Sequence, residues 1–413
     1  MADVLSVSAK RDRERLLRVL SAATFIVFFQ AYMVAPIIPD LAVVFGTSAE
    51  TAGFVVPAYL IPYGVATLIY GLAADRLGIQ RVMFLSFAAF AVLTALTATA
   101  RSLDAMIAWR AVTGIGASGV VPLALVLVGV LFPYEERGRP LGWLFGAMAG
   151  GMAFGSTFGA LLEPVLGWRG LFLVVGAAGA AGLFALLPFR QLIASATRPV
   201  SGTLEDLFRA YRNLLATPRG RRTYGYVLLN SIFHSGVFTW LGVYFERRYG
   251  LGPVGVGLAL LGYGVPGFLA GPLIGRMADR FGRGRLLPVG LGLSALAAAA
   301  LILDAPLIAA ALMVTVLSLG YDMTQPLFAG IVTALGGQRP GQAMGLNVFA
   351  LFTGFGIGSL LFGEALRAGG FEPALLGFAF VEGIAMLLAV RLFRSEVPST
   401  SPPAAAPSRP AAR

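Results

Sequence analysis

Residues 82–100 and 141–162 contain no Asp, Glu, Lys or Arg. About twenty apolar residues, wound at 1.5 Å per residue, make a helix of roughly 30 Å, the thickness of bilayer hydrocarbon. Backbone in hydrocarbon has no water to bond, so only helices and closed barrels cross it. A barrel strand alternates apolar and polar residues in short segments, and these runs do not alternate. Runs of this kind recur along the chain. Charged residues make up 12% of it, against about 25% in soluble domains. The fold class is therefore an all-α integral membrane protein.

Twelve spans can be read, at about 19–45, 52–71, 82–100, 105–131, 140–162, 170–189, 223–245, 253–275, 286–303, 306–334, 341–363 and 373–392. The expected organisation is an N-terminal tail (1–18), a six-helix bundle (19–189), a linker (190–222), a second six-helix bundle (223–393) and a C-terminal tail (394–413). In the linker, Leu204, Leu207, Phe208, Tyr211, Leu214 and Leu215 form one apolar helical stripe beside basic residues. This predicts an amphipathic helix lying along the inner membrane surface.

The net charge of +11 is explained by orientation, not by nucleic acid. With the N-terminus inside, the inner segments hold 25 of the 31 Lys and Arg residues. The outer loops hold only Arg101, Arg169, Arg247, Arg248 and Arg367, and Arg110 lies within a span. That five-fold bias matches the positive-inside rule and places both termini in the cytoplasm of a cell bounded by an inner (plasma) membrane. There is no cysteine and one histidine, His234, so thiolate and His-cluster metal sites are excluded. No cofactor is expected.

The phrase Gly71-Leu-Ala-Ala-Asp75-Arg76-Leu-Gly78, followed by Arg81, has a copy 204 residues later. The copy is Gly275-Arg-Met-Ala-Asp279-Arg280-Phe-Gly282-Arg283. Tyr59 and Tyr263, and Pro122 and Pro326, keep the same offset; Gly151 and Gly354, and Gly155 and Gly358, are 203 apart. The chain is thus two six-span halves in parallel orientation, a transporter architecture. The two Gly-x-x-x-Asp-Arg-x-Gly loops resemble the signature loop of the major facilitator superfamily and its second-half echo. Arg110-Ala-Val-Thr-Gly114-Ile-Gly116 resembles that family's span-4 arginine motif. The series Gly146, Gly150, Gly151, Gly155 and Gly159 resembles the span-5 motif of its bacterial drug and metabolite antiporters, although Ser156 and Ala160 stand where proline is usual.

The resemblance implies that the two loops gate the inner face, and that spans 1, 4, 7 and 10 line a central cavity. Ionisable groups at membrane depth are functional candidates, so Arg110, Asp322, His234 and Asp40 are the candidates for proton coupling. Asp322 is the protonation site in this reading, His234 a neighbour, and Asp40 a possible partner of Arg110. Alternatives are a snorkelling Arg110, an interfacial Asp40 and a packed His234. The cavity candidates are Gln30, Tyr32, Tyr59, Tyr63, Asn230, Trp240, Tyr263, Gln325 and Asn347; the alternatives are interface anchors and interhelical glue. Gly151, Gly155 and Gly159 suit close helix packing. Glu382 has no assigned role.

The implied function is secondary active transport of a small organic or amphipathic solute by alternating access, most simply proton-coupled efflux by a monomer. Uptake, or lipid or glycolipid translocation, by the same fold is the alternative. No phosphate-binding GxxxxGK[ST] and no HExxH occurs, which leaves little room for an ATP-driven pump or a membrane enzyme.

Overall fold

The computed structural model describes residues 2–132, 138–196, 204–266, 269, 273, 274, 277, 280–336 and 340–396, and within these not the side chains of 2–9, 75, 138, 196, 204, 340 and 341. Among the described residues every regular element is a helix. Nine stretches among the described residues are long and apolar enough to cross a membrane. One of them, Arg139–Ser195, holds two spans, because its helix Gly138–Leu186 breaks at Gly167, where φ is 65° and ψ 162°. The helix Arg283–Ala300 is span 9. Span 8 begins with Pro253–Ala259 and resumes after an irregular turn at 260–264. The described residues are consistent with the twelve spans expected.

Several spans are discontinuous. Span 1 runs Ala2–Tyr32, turns through Ala35–Ile37 and continues as Ile38–Phe45. The expected tail at 1–18 is therefore the first part of this helix, and Leu16 and Leu17 are buried. Span 2 is Pro57–Leu77, led in by the short helix Ala49–Ala52, whose first turn is capped by Ser48. Span 4 is Leu103–Ala117 followed by Val120–Leu131. Its break is bridged from span 3 (Ile79–Thr97): Ser86 donates to the Gly116 carbonyl and accepts from the Gly119 amide. Backbone groups freed inside a membrane need such partners. Spans 7, 10, 11 and 12 are Pro218–Tyr249, Leu307–Gly336, Pro340–Gly369 and Phe371–Leu392.

The repeat is visible in the backbone. Gly78 and Gly282 end the second and eighth spans with φ/ψ of 88°/139° and 84°/145°. Positive φ at these loops is accessible to glycine without a Cβ penalty. In each half a glycine ridge lies on a neighbouring backbone. A Cβ at Gly151, Gly155 or Gly159 of span 5 would come 2.6, 2.6 and 2.5 Å from the carbonyl oxygens of Phe25, Phe29 and Met33 of span 1. Gly354 and Gly358 of span 11 meet span 7 at Leu228 and Ile232 in the same way.

The helix ends near Arg13, Leu131, Arg139, Arg219 and Glu396 share one face, here the terminal face. There Arg13 donates to the Leu131 carbonyl, Arg139 pairs with Glu14, and Glu396 pairs with Arg219 and Arg222. The linker helix Leu204–Ala216 forms as its periodicity predicts, but its stripe is divided. Leu207 and Tyr211 are buried against Leu72, Tyr224, Val332, Ala343 and Leu346, whereas Phe208 stays exposed. The helix therefore packs mainly on spans 7 and 11 of the second half, with Leu72 of span 2 in the same cluster, and not on a membrane surface alone.

Contacts between the halves gather toward the opposite, distal face. Gly242 of span 7 rests on Pro36 of span 1, Gly53 on Trp240, Ile61 on Gly356, and Gly264 on Ala153. Thr157 donates to the Leu260 carbonyl at 3.5 Å, and Arg247 pairs with Glu50 at 2.8 Å. These contacts close the distal end of the seam.

Candidate functional site

Five spans bring aromatic rings together where the halves meet. Tyr32 of span 1 lies 5.1 Å from Phe238 of span 7 and 6.3 Å from Phe355 of span 11. His234 stacks on Tyr321 of span 10 at 3.5 Å and on Tyr263 of span 8 at 5.6 Å, and its Nε2 is hydrogen-bonded to the Tyr263 hydroxyl. Its Nδ1 is buried and has no partner among the described residues. Asp322, 8% exposed, sits among these rings and acts electrostatically on Tyr32, Tyr263 and Tyr321.

The position of Asp322 depends on the irregular turn of span 8. The Gly264 amide donates to Ser318 Oγ at 2.8 Å, and Ser318 Oγ donates to Asp322 Oδ2 at 3.0 Å, one helical turn away. Gly264, with φ 75°, also lies against Ala153 of the other half. The carboxylate is thus tied through one hydroxyl to an unwound segment at the seam. Discontinuous helices near the midplane are where transporters of this architecture build their sites.

A second charged pole lies in the N-terminal half. Arg110 is fully buried, so the snorkelling alternative does not describe this state. Its Nε donates to the Val55 carbonyl at 3.0 Å, and its guanidinium lies 4.4 Å from the centre of the Tyr59 ring. Asp40 is not its partner. Asp40 feels the charges of Glu163 and Glu246 instead, because the turn at Ala35–Ile37 re-aims the end of span 1. The poles are not symmetry mates. At the 204-residue offset Arg110 corresponds to Val314 and Asp322 to Ser118, whereas Tyr59 and Tyr263, one at each pole, do correspond.

The other cavity candidates divide. Tyr59 and Tyr63 are adjacent, 5.8 Å between rings, and Tyr63 stacks on Phe352 of the other half at 4.0 Å. Both hydroxyls are buried without a partner, as are both polar atoms of Gln30. Asn230 donates to Thr324 at 2.7 Å, and its Oδ1 and that of Asn347 have no partner. Gln325 is half-buried with Nε2 unpartnered. Trp240 is a stitch, donating to the Ser359 carbonyl at 3.0 Å. Glu382 is fully buried, with both oxygens unpartnered and Tyr226 close enough to feel its charge.

At the loops, Gly71 has open space around it, Arg76 and Arg81 are exposed, Arg280 lies over Phe281 and Arg283 packs on Gly330 of span 10. Gly275 and Asp279, and the Asp75 side chain, lie outside the described residues. Phe238, Tyr321, Phe352, Phe355 and Ser318 escaped sequence reasoning. Apolar residues face both lipid and protein in a membrane helix, so periodicity does not select the ring that meets a neighbour. The Ser318–Asp322 spacing of four was the one available signal.

A family model described as Major Facilitator Superfamily matches residues 20–337 and 246–413. YwfA of Bacillus subtilis, an uncharacterized MFS-type transporter, is 24% identical over 380 residues, covering 91% of each chain. A chloramphenicol resistance protein of Streptomyces lividans is 27% identical over 382 residues, covering 90% of this chain and 94% of that one. Among solved structures, a bacterial homolog of the human lysosomal transporter Spinster superposes with a TM-score of 0.73 at 18% identity, covering 94% and 99% of the two chains.

Proposed function

Because the chain belongs to the major facilitator superfamily, and so is a multi-pass membrane transporter of small solutes and not an enzyme, we propose that it exports an organic solute in exchange for protons. The observation that carries this reading is Asp322, a carboxylate enclosed by rings from both halves and tethered to the broken turn of span 8. A group that meets both halves at a seam experiences a different environment when the seam opens. Protonation and conformation are then linked, since each biases the other. Proton release on one face and solute release on the other give exchange.

The terminal face is the cytoplasmic one in this reading, because the inner segments carry most of the Lys and Arg residues. The closed distal seam then makes this an outer-closed state. Efflux in preference to uptake is supported by the glycine ridge of span 5, which resembles the antiporter motif, and by the likeness to a chloramphenicol resistance protein.

The test is accumulation of a panel of labelled amphipathic compounds in inverted membrane vesicles, with and without an imposed pH gradient. Efflux by exchange predicts gradient-driven accumulation, lost in Asp322→Asn while purified protein of that variant still unfolds cooperatively. Flux indifferent to the gradient, or coupling that survives Asp322→Asn, refutes the assignment. Accumulation only with the gradient reversed would favour uptake.

A further inference from the structure

We propose that Arg110, Tyr59 and Tyr63 form a subsite for the carboxylate of a small organic anion. The inference rests on the reading of the chain as a carrier of organic solutes and adds the chemical class that it takes.

Arg110 is fully buried, yet Nη1 and Nη2 have no partner among the described residues. Among the described residues no carboxylate pairs with it, and its partners are the Val55 carbonyl and the Tyr59 ring. A buried charge without a counter-charge is costly, and buried polar groups are normally hydrogen-bonded. The guanidinium is also oriented. Its Nε–H is spent on Val55 O and its central carbon lies 4.4 Å from the Tyr59 ring centre, which leaves the two NH2 groups as the unsatisfied donor pair.

That geometry selects the ligand. A planar carboxylate presents two oxygens to such a pair, giving two charge-assisted hydrogen bonds with fixed direction. The unpartnered hydroxyl of Tyr59 supplies a further donor, and Tyr63, whose hydroxyl is also unpartnered, is the adjoining ring, 5.8 Å from Tyr59. The surroundings are tyrosine rings and Phe352, which stacks on Tyr63 across the seam, a lining whose chemistry suits an apolar or aromatic body. Because Phe352 belongs to the other half, the contact is complete only with the distal seam shut. A ligand bound there favours that state.

The experiment is thermal unfolding of the purified full-length protein in detergent. The probes are phenylacetate, its neutral isostere phenylacetamide, its cationic counterpart phenethylamine, sodium chloride and inorganic phosphate, at constant ionic strength. Phenylacetate is expected to raise the unfolding temperature saturably, as a ligand of the folded state must, and the amide and amine are not. Losing charge-assisted bonds weakens affinity by about 10- to 100-fold, so the shift should vanish in Arg110→Gln. It should move to about tenfold higher concentration in Arg110→Lys, which keeps the charge and loses the fork.

Equal stabilisation by the amide or amine, saturation by chloride or phosphate alone, no response to millimolar phenylacetate, or a shift that survives Arg110→Gln would overturn the proposal. If Arg110→Gln does not fold, unchanged affinity in both Arg110→Lys and Tyr63→Phe overturns it equally. The outcome is separable from that of proton coupling. Phenylacetate binding with gradient-indifferent flux sinks coupling alone, and gradient-driven flux without carboxylate preference sinks the subsite alone.

Discussion

The ion pair between Glu50 and Arg247 gives the sharpest handle on the conformational equilibrium. Arg247 lies in the last turn of span 7 and Glu50 in the short helix before span 2, so the 2.8 Å contact joins the two halves at the distal face. The Glu50 side chain is 12% exposed and that of Arg247 44%. Exposed pairs contribute about 0.2–1 kcal/mol, and the burial of Glu50 places this one toward the upper end. The pair requires the seam to be shut, so its loss shifts the closed-to-open ratio by about 1.4- to 5-fold. The chain has no cysteine, so spin labels can be placed without removing native thiols. Val43 and Val254, exposed on spans 1 and 8 at this face, are suitable positions. In Glu50→Gln the long-distance population should rise by that factor. The charge swap Glu50→Arg with Arg247→Glu should restore it, and about 0.5 M salt should narrow the difference. An unchanged distance distribution in Glu50→Gln, or a swap no better than the sum of its single changes, would refute the latch.

Other predictions follow from packing and charge. Gly155→Ala places a methyl 2.6 Å from Phe29 O and 2.9 Å from its Cα, which should lower stability by about 1–3 kcal/mol in thermal unfolding; Gly146→Ala, with nothing within 4 Å, should be neutral or mildly stabilising. Glu382→Leu removes a fully buried carboxyl whose oxygens have no partner, so purified protein should unfold at the same temperature or higher, and a large drop would show that the carboxyl has a needed partner. Burial raises the Glu396 carboxyl, but Arg219 and Arg222 outweigh it and hold it below the usual glutamate value. Its stabilisation is therefore present above the unfolded-state value and is lost as pH falls through the lowered folded value; Glu396→Gln should flatten that part of the acid-unfolding profile.

The architecture was legible in the sequence because hydrocarbon enforces it. Runs without charge must be helices, the loops between them carry the orientation signal, and the repeated Asp-Arg phrase betrays two copies. Gly78 and Gly282 adopt matching backbone angles, and the ridge at Gly151, Gly155 and Gly159 lies on span 1. The site was legible only in part. Sequence gives the height of a residue in the membrane, not its azimuth. Asp40 and Arg110 share a depth, yet the turn at Ala35–Ile37 sends Asp40 toward Glu163 and Glu246. Tyr59 and Tyr63 could be chosen from sequence, but not Phe352, because a phenylalanine facing lipid and one facing the seam look alike. The merged helix Gly138–Leu186 shows the same limit at a boundary, since two spans meet at Gly167 with almost no polar loop between them.

The glycine ridges have a mechanical consequence. Span 5 lies so close to span 1, and span 11 to span 7, that neither pair can twist internally without driving backbone into backbone. Each pair is a stiff beam of double thickness. A displacement imposed at one end of a beam, as the seam opens or closes, is carried to its far end. The compliance of the molecule is then concentrated in the aromatic seam between beams, where the Tyr63–Phe352 stack can slide without breaking a hydrogen bond.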